Sequence, residues 1–130
     1  MVALAGTSNR TFDPLPIDSS RGFPQSFPLL FANRNYRFRL YVNVPAAQIE
    51  DKAKVLDLPS ADAFLVVSVE LDLPDGTSQP IFLRKVVPGL EYESEDIALV
   101  FPQQRVAVQN LNNSGEFGSQ VTGGIAPRWA

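Results

Sequence analysis

The stretch Tyr36-Arg37-Phe38-Arg39-Leu40-Tyr41-Val42-Asn43-Val44 decides the fold class. Tyr36, Phe38, Leu40, Val42 and Val44 fall at every second position, with Arg37, Arg39, Tyr41 and Asn43 between them. Successive side chains of a strand point to opposite faces, so this alternation predicts a half-buried β-strand. One face belongs to a core and the other meets water or a partner. Aromatic and β-branched side chains fit such a pleated surface well.

Upstream, Phe27 to Phe31 reads as a partner strand, with Asn33-Arg34-Asn35 as the turn. Pro28 cannot donate to a ladder, which places that strand at a sheet edge or limits its length. Downstream, Phe64 to Leu73 is a second strong strand. Its first half, Phe64-Leu65-Val66-Val67, is apolar on both faces, as expected of a central or doubly covered strand. Pro74-Asp75-Gly76 makes a turn: proline presets φ, aspartate tolerates turn geometry and glycine accepts positive φ. Ile81 to Val87 returns as the other arm of that hairpin, and Pro88-Gly89 ends it in a type II turn. Ile97 to Phe101 and Arg105 to Gln109 read as two short strands separated by Pro102, followed by a turn at Asn112-Asn113-Ser114-Gly115. The expected fold class is all-β, a small antiparallel sandwich or barrel of five to six strands.

One domain accounts for 130 residues. Residues 1–26 read as an extended N-terminal arm of loop-forming residues, with Leu4, Phe12, Leu15, Ile17 and Phe23 spaced along it as apolar anchors. Residues 27–117 form the β domain and 118–130 an irregular C-terminal tail. Within the domain, residues 45–62 read as an inserted loop or short helix. Pro45 and Pro59 bracket the helical candidate, and Ile49, Ala53 and Leu56 would form its apolar stripe.

Composition narrows function by exclusion. The chain has no Cys and no His, so disulfides, Cys/His zinc sites, Cys nucleophiles and Ser-His-Asp triads are impossible. The commonest general base near neutral pH is missing too. We therefore expect no enzyme and no cofactor. A net charge of −3 opposes phosphate backbones, and no basic patch or glycine-rich phosphate loop offsets it. Met1 to Ala5 is too short for a signal-peptide core, and no apolar run has the length of a membrane span. The 9 Phe and one Trp must enter a core or meet a partner.

Each candidate site has a plainer reading beside it. Glu91, Glu93, Glu95 and Asp96 could attract a metal, but no glycine allows a tight calcium loop, and a solvated acidic connection is the simpler reading. Asp72 and Asp75 resemble a carboxylate pair, yet they flank a turn where aspartate serves local hydrogen bonding. Arg37, Arg39 and Tyr41 share a strand face with Arg34 near, the residue types that protein interfaces enrich. Trp129 calls for a docking surface on this chain or on a neighbour.

Three blocks carry a family resemblance. The first is Pro14-Leu15-Pro16, Pro24-Gln25-Ser26-Phe27 and Tyr36-Arg37-Phe38-Arg39-Leu40-Tyr41. The second is Phe64-Leu65-Val66-Val67-Ser68-Val69, Asp75-Gly76, Pro80-Ile81 and Arg84. The third is Ile97-Ala98-Leu99-Val100-Phe101, Val121-Thr122-Gly123-Gly124 and Arg128-Trp129. Together they resemble the small baseplate plug proteins of contractile-tailed phages, cyanophages included. The resemblance implies a virion component, made in the host cytoplasm, that sits at the tail tip. It would bind baseplate hub, tail tube or sheath-initiator proteins and form part of a homo-oligomeric assembly. Phe12, Phe23, Arg37, Arg39, Tyr41 and Trp129 are then the expected partner contacts. A capsid decoration protein and a free-standing ligand-binding β-barrel are the alternatives.

Overall fold

Strand β3 (Arg34–Asn43) carries the deciding alternation: Tyr36, Phe38 and Leu40 are buried, while Arg37 and Arg39 are exposed. In this computed structural model, which describes residues 10–129, two antiparallel sheets pack face to face as an open sandwich and not as a closed barrel. One sheet has the order β2-β3-β5-β6, with β2 (Gln25–Phe31), β5 (Phe64–Asp72) and β6 (Ser78–Val86) flanking or joining β3. We call it the arginine sheet. The other, the terminal sheet, runs β1 (Asp13–Pro14), β9 (Gln120–Pro127), β8 (Ile97–Ala107). Beyond β8 its last position is shared by β7 (Glu91–Ser94) and β4 (Val55–Asp57).

The hairpins follow local chemistry. Strand β2 is an edge, the first of the two placements that Pro28 allows, and reaches β3 through Ala32 and Asn33, both at positive φ (50° and 64°). Two such residues make the two-residue hairpin turn whose twist matches the flanking strands. That turn lies slightly earlier than the one expected at residues 33–35. The Pro74-Asp75-Gly76 turn forms with Gly76 at φ 87°, and its Asp75 carboxylate accepts from the Thr77 amide at 2.9 Å and hydroxyl at 2.6 Å. Gly89 has φ 86°, as a type II turn after Pro88 demands.

Four expectations are corrected. No α-helix forms over residues 46–58. Ala46–Ile49 is a single 3-10 turn, and Val55–Asp57 pairs with β8. Leu56 and Leu58 are buried and Val55 and Asp57 exposed, a period of two that serves the core better than the narrow helical stripe. The strands on either side of Pro102 are one strand, β8, with a bulge between Val100 and Gln103 that houses the proline without costing a ladder bond. The acidic connection is strand β7, in which Tyr92 turns inward against Phe82 while its glutamates turn outward. The tail from residue 118 is no irregular segment, because Gln120–Pro127 is a strand between β1 and β8. A Cβ at Gly123 would come within 2.9 Å of Leu15 and Phe101 and 3.0 Å of Ile17. The glycine there is room for packing, not a chain breaker.

Residues 10–26 are likewise built into the sandwich. Asp13 and Pro14 pair with Ile125 and Gly124, and Leu15 and Phe23 join the central core. The first part of the expected arm, with Leu4, lies outside the described residues. Phe12, fully buried, fills a separate small cluster with Ala98, Val100 and Ala126 on the outer face of the terminal sheet. Gly22, at φ 81°, passes so close to Asn113 that a Cβ would overlap its carbonyl oxygen. Beside it, the Phe23 amide donates to Asn110 (2.9 Å) and the Phe23 carbonyl accepts from Asn112 (2.6 Å). The segment is tied down by backbone bonds as well as by apolar contact.

Candidate partner-binding surface

The outward residues of β3 form rows across the arginine sheet. Arg39 lies opposite Ser26 on one side and Ser68 on the other, and Tyr41 lies opposite Val66. Arg37 lies beside Asp72, its Nε 3.3 Å from one carboxylate oxygen, with the arginine exposed and the aspartate partly so. Such a pair contributes at most about 1 kcal/mol. The Arg39 guanidinium stands 5.7 Å from the Tyr41 ring centre, and the Lys85 ammonium 4.2 Å from the Phe64 ring centre. Long cationic side chains thus lie flat along aromatic rings, keeping charge in water while shielding ring faces.

Where β3 ends, a surface groove of about 390 Å³ opens, lined by Arg39, Tyr41, Val42, Val44, Ile49 and Leu111. Leu30 and Leu83, each 67% exposed, sit apart from it on the two edge strands of the same sheet. At the opposite end stands Trp129, 75% exposed, with the Arg128 guanidinium 4.6 Å from its ring centre.

Of the six expected contact residues, four lie at the surface and two do not. Arg37, Arg39 and Tyr41 share the outer face of β3, and Trp129 projects from the far corner. Phe12 and Phe23 are 0% and 2% exposed and pack within their own chain, Phe23 at the floor of the groove. Their segment lacks periodicity, so their destination depended on pairings such as Asp13 with Ile125 that no local pattern reveals. The groove residues Val44, Ile49 and Leu111 were not anticipated. They come from three separate segments, and only tertiary structure brings them together.

Apart from Glu95, the candidate carboxylates are committed to structure. Arg10 donates to Glu91 and to Glu93, both at 2.7 Å, and to the Arg128 carbonyl at 3.0 Å. Arg34 pairs with Asp96 at 2.7 Å. Among the described residues no group of three or more Asp or Glu is placed to hold a metal ion. Asp72 faces Arg37, and Asp75 is engaged by Thr77, so the two carboxylates serve a strand and a turn. The hydroxyl and amide of Thr77 hold the Asp75 carboxyl below its ordinary value of 3.8. Asp18 is held low in the same way, first by the Ser20 hydroxyl and then by its amide. Burial pushes the Tyr36 phenol up. No helix among the described residues is long and apolar enough to cross a membrane.

No protein-family model, curated protein or solved structure matches this chain.

Proposed function

We propose that this chain is a structural virion protein of a phage tail baseplate, plugging or lining the axial tail tip and binding hub, tube or sheath-initiator neighbours. Its action is steric: a stiff sandwich holds fixed contacts in place and performs no chemistry of its own. The single observation that carries the reading is Trp129, a large aromatic held three-quarters exposed by a stacked arginine. Exposed anchors of this kind are what binding hot spots are made of. The cationic and aromatic face of the arginine sheet adds a second contact surface, and the resemblance to baseplate plugs supplies the setting.

Removing residues 1–26 is no test of this role, because residues 10–26 are part of the folded domain. Trp129→Ala and Arg39→Glu are the suitable variants, since both side chains are exposed. Each should fold normally yet fail to enter tailed particles, as read by quantitative immunoblotting of purified virions. Wild-type levels of both variants in the particle would sink the proposal. Immunogold labelling of heads and not tails would move the chain to the alternative role, capsid decoration. The ligand-binding barrel loses its footing, because the sheets do not close and the interior is filled by side chains such as Phe38, Leu40 and Phe101.

A further inference from the structure

The exposed indole and the apolar groove lie at opposite ends of one molecule. Arg34 opens β3 and pairs with Asp96, whose carbonyl accepts from the Arg128 amide at 2.9 Å, so Trp129 belongs to the β3 start. The groove lies where β3 finishes, at Tyr41, Val42 and Val44. Arg34 and Tyr41 are separated by roughly 20 Å or more of extended strand, well beyond the reach of one side chain. Trp129 can fill the groove of another copy only.

The two ends match in chemistry. The groove offers Val42, Val44, Ile49 and Leu111 as apolar walls, with the Arg39 guanidinium over Tyr41 at its rim. Among the described residues no carboxylate lies within ion-pair distance of Arg39. At the other corner Glu95 sits beside Trp129: its carbonyl accepts from Arg128 at 3.3 Å, and no described cation lies within ion-pair distance of its carboxylate. An unmatched cation at the groove thus faces an unmatched anion at the anchor. Arg128 also presets the indole, which lowers the ordering cost of docking.

We propose that copies of this chain associate head to tail, with Trp129 of one molecule entering the Arg39–Tyr41 groove of the next and Glu95 of the first facing Arg39 of the second. The contact joins two different surfaces, so it builds rings or rows and not a symmetric dimer. It goes beyond the proposed role and is a property of the purified protein, testable without any particle.

Trp129 is the chain's one tryptophan, so its emission reports the contact directly. Between about 10 µM and about 1 mM, the range suited to a small interface, wild-type emission should shift to the blue while sedimentation equilibrium shows rising average mass. Trp129→Ala and Arg39→Glu should each remain monomeric with unchanged circular dichroism, and Tyr41→Ala serves as a second groove variant if Arg39→Glu loses its fold. Mixed together, Trp129→Ala and Arg39→Glu should form a dimer and nothing larger, because one supplies the only groove and the other the only indole. Adding Glu95→Arg to Arg39→Glu should restore association. A wild-type protein that stays monomeric throughout, oligomers that persist in Trp129→Ala, or a mixture that never pairs would each overturn the proposal.

Discussion

The two sheets share one core but treat their outer faces in opposite ways. The outer face of the terminal sheet is built from small residues, Ala98, Val100 and Ala126, and the chain itself covers it by laying Phe12 there. Arg10 then reaches across to Glu91 and Glu93 and fastens the cover. The outer face of the arginine sheet carries Arg37, Arg39, Tyr41, Leu83 and Lys85, and no segment lies over it among the described residues. Small side chains invite a covering residue, whereas long ones partly shield one another and leave the face open to another molecule. Apolar content alone does not mark a binding surface. Who covers it does.

Phe12→Ala should break this contrast most strongly. Losing a fully buried ring from the covered face should cost about 3–5 kcal/mol of stability, read by urea unfolding at neutral pH. A loss under about 1 kcal/mol would mean that the Phe12 cluster contributes little and that the two outer faces are energetically alike.

Arg10→Ala tests the fastening. The Glu91 side chain is 7% exposed, so taking away its facing guanidinium should cost about 1–3 kcal/mol, with little relief from added salt. Strong salt dependence of the wild-type stability would place the pair in water and contradict its burial.

On the open face, Leu83→Ser should change stability by no more than about 0.5 kcal/mol while lowering dye binding to exposed apolar surface. A larger destabilisation would show that Leu83 is covered after all.

The smallest effect concerns acid. The folded Asp75 carboxyl titrates below its ordinary 3.8, so its contribution to stability is complete above that value and fades as pH falls through the lower folded one. Asp75→Asn should therefore lower the plateau above about pH 5 slightly, flatten the acid limb below it, and leave the most acid end of the curve unmoved. An unchanged acid limb would assign that limb to other carboxylates, Asp18 first among them.

What was legible in the amino-acid order is what depends on near neighbours. Strand β3 and the hairpin of β5 and β6 were readable because alternation and turn chemistry are local. Strand β9 was hidden by Gly123 and Gly124, which look like breakers until Leu15 and Phe101 are seen pressing on the first of them. Strand β8 was divided by Pro102 because a bulge depends on the partner strand, and β4 was disguised by helix-favouring alanine and lysine. The outward set Arg37, Arg39 and Tyr41 emerged from alternation alone. The groove beside it did not, since its walls come from segments far apart in the chain.

The pairing of Asp13 with Ile125 has a kinetic meaning as well. Residues 25–86 contain every strand of the arginine sheet, so a chain leaving the ribosome can pair that sheet before β8 and β9 have emerged. Closing the terminal sheet must wait for sequence more than a hundred positions later, and contacts of such separation form slowly. In a newly made molecule Phe12 has nowhere to go until Ala126 arrives.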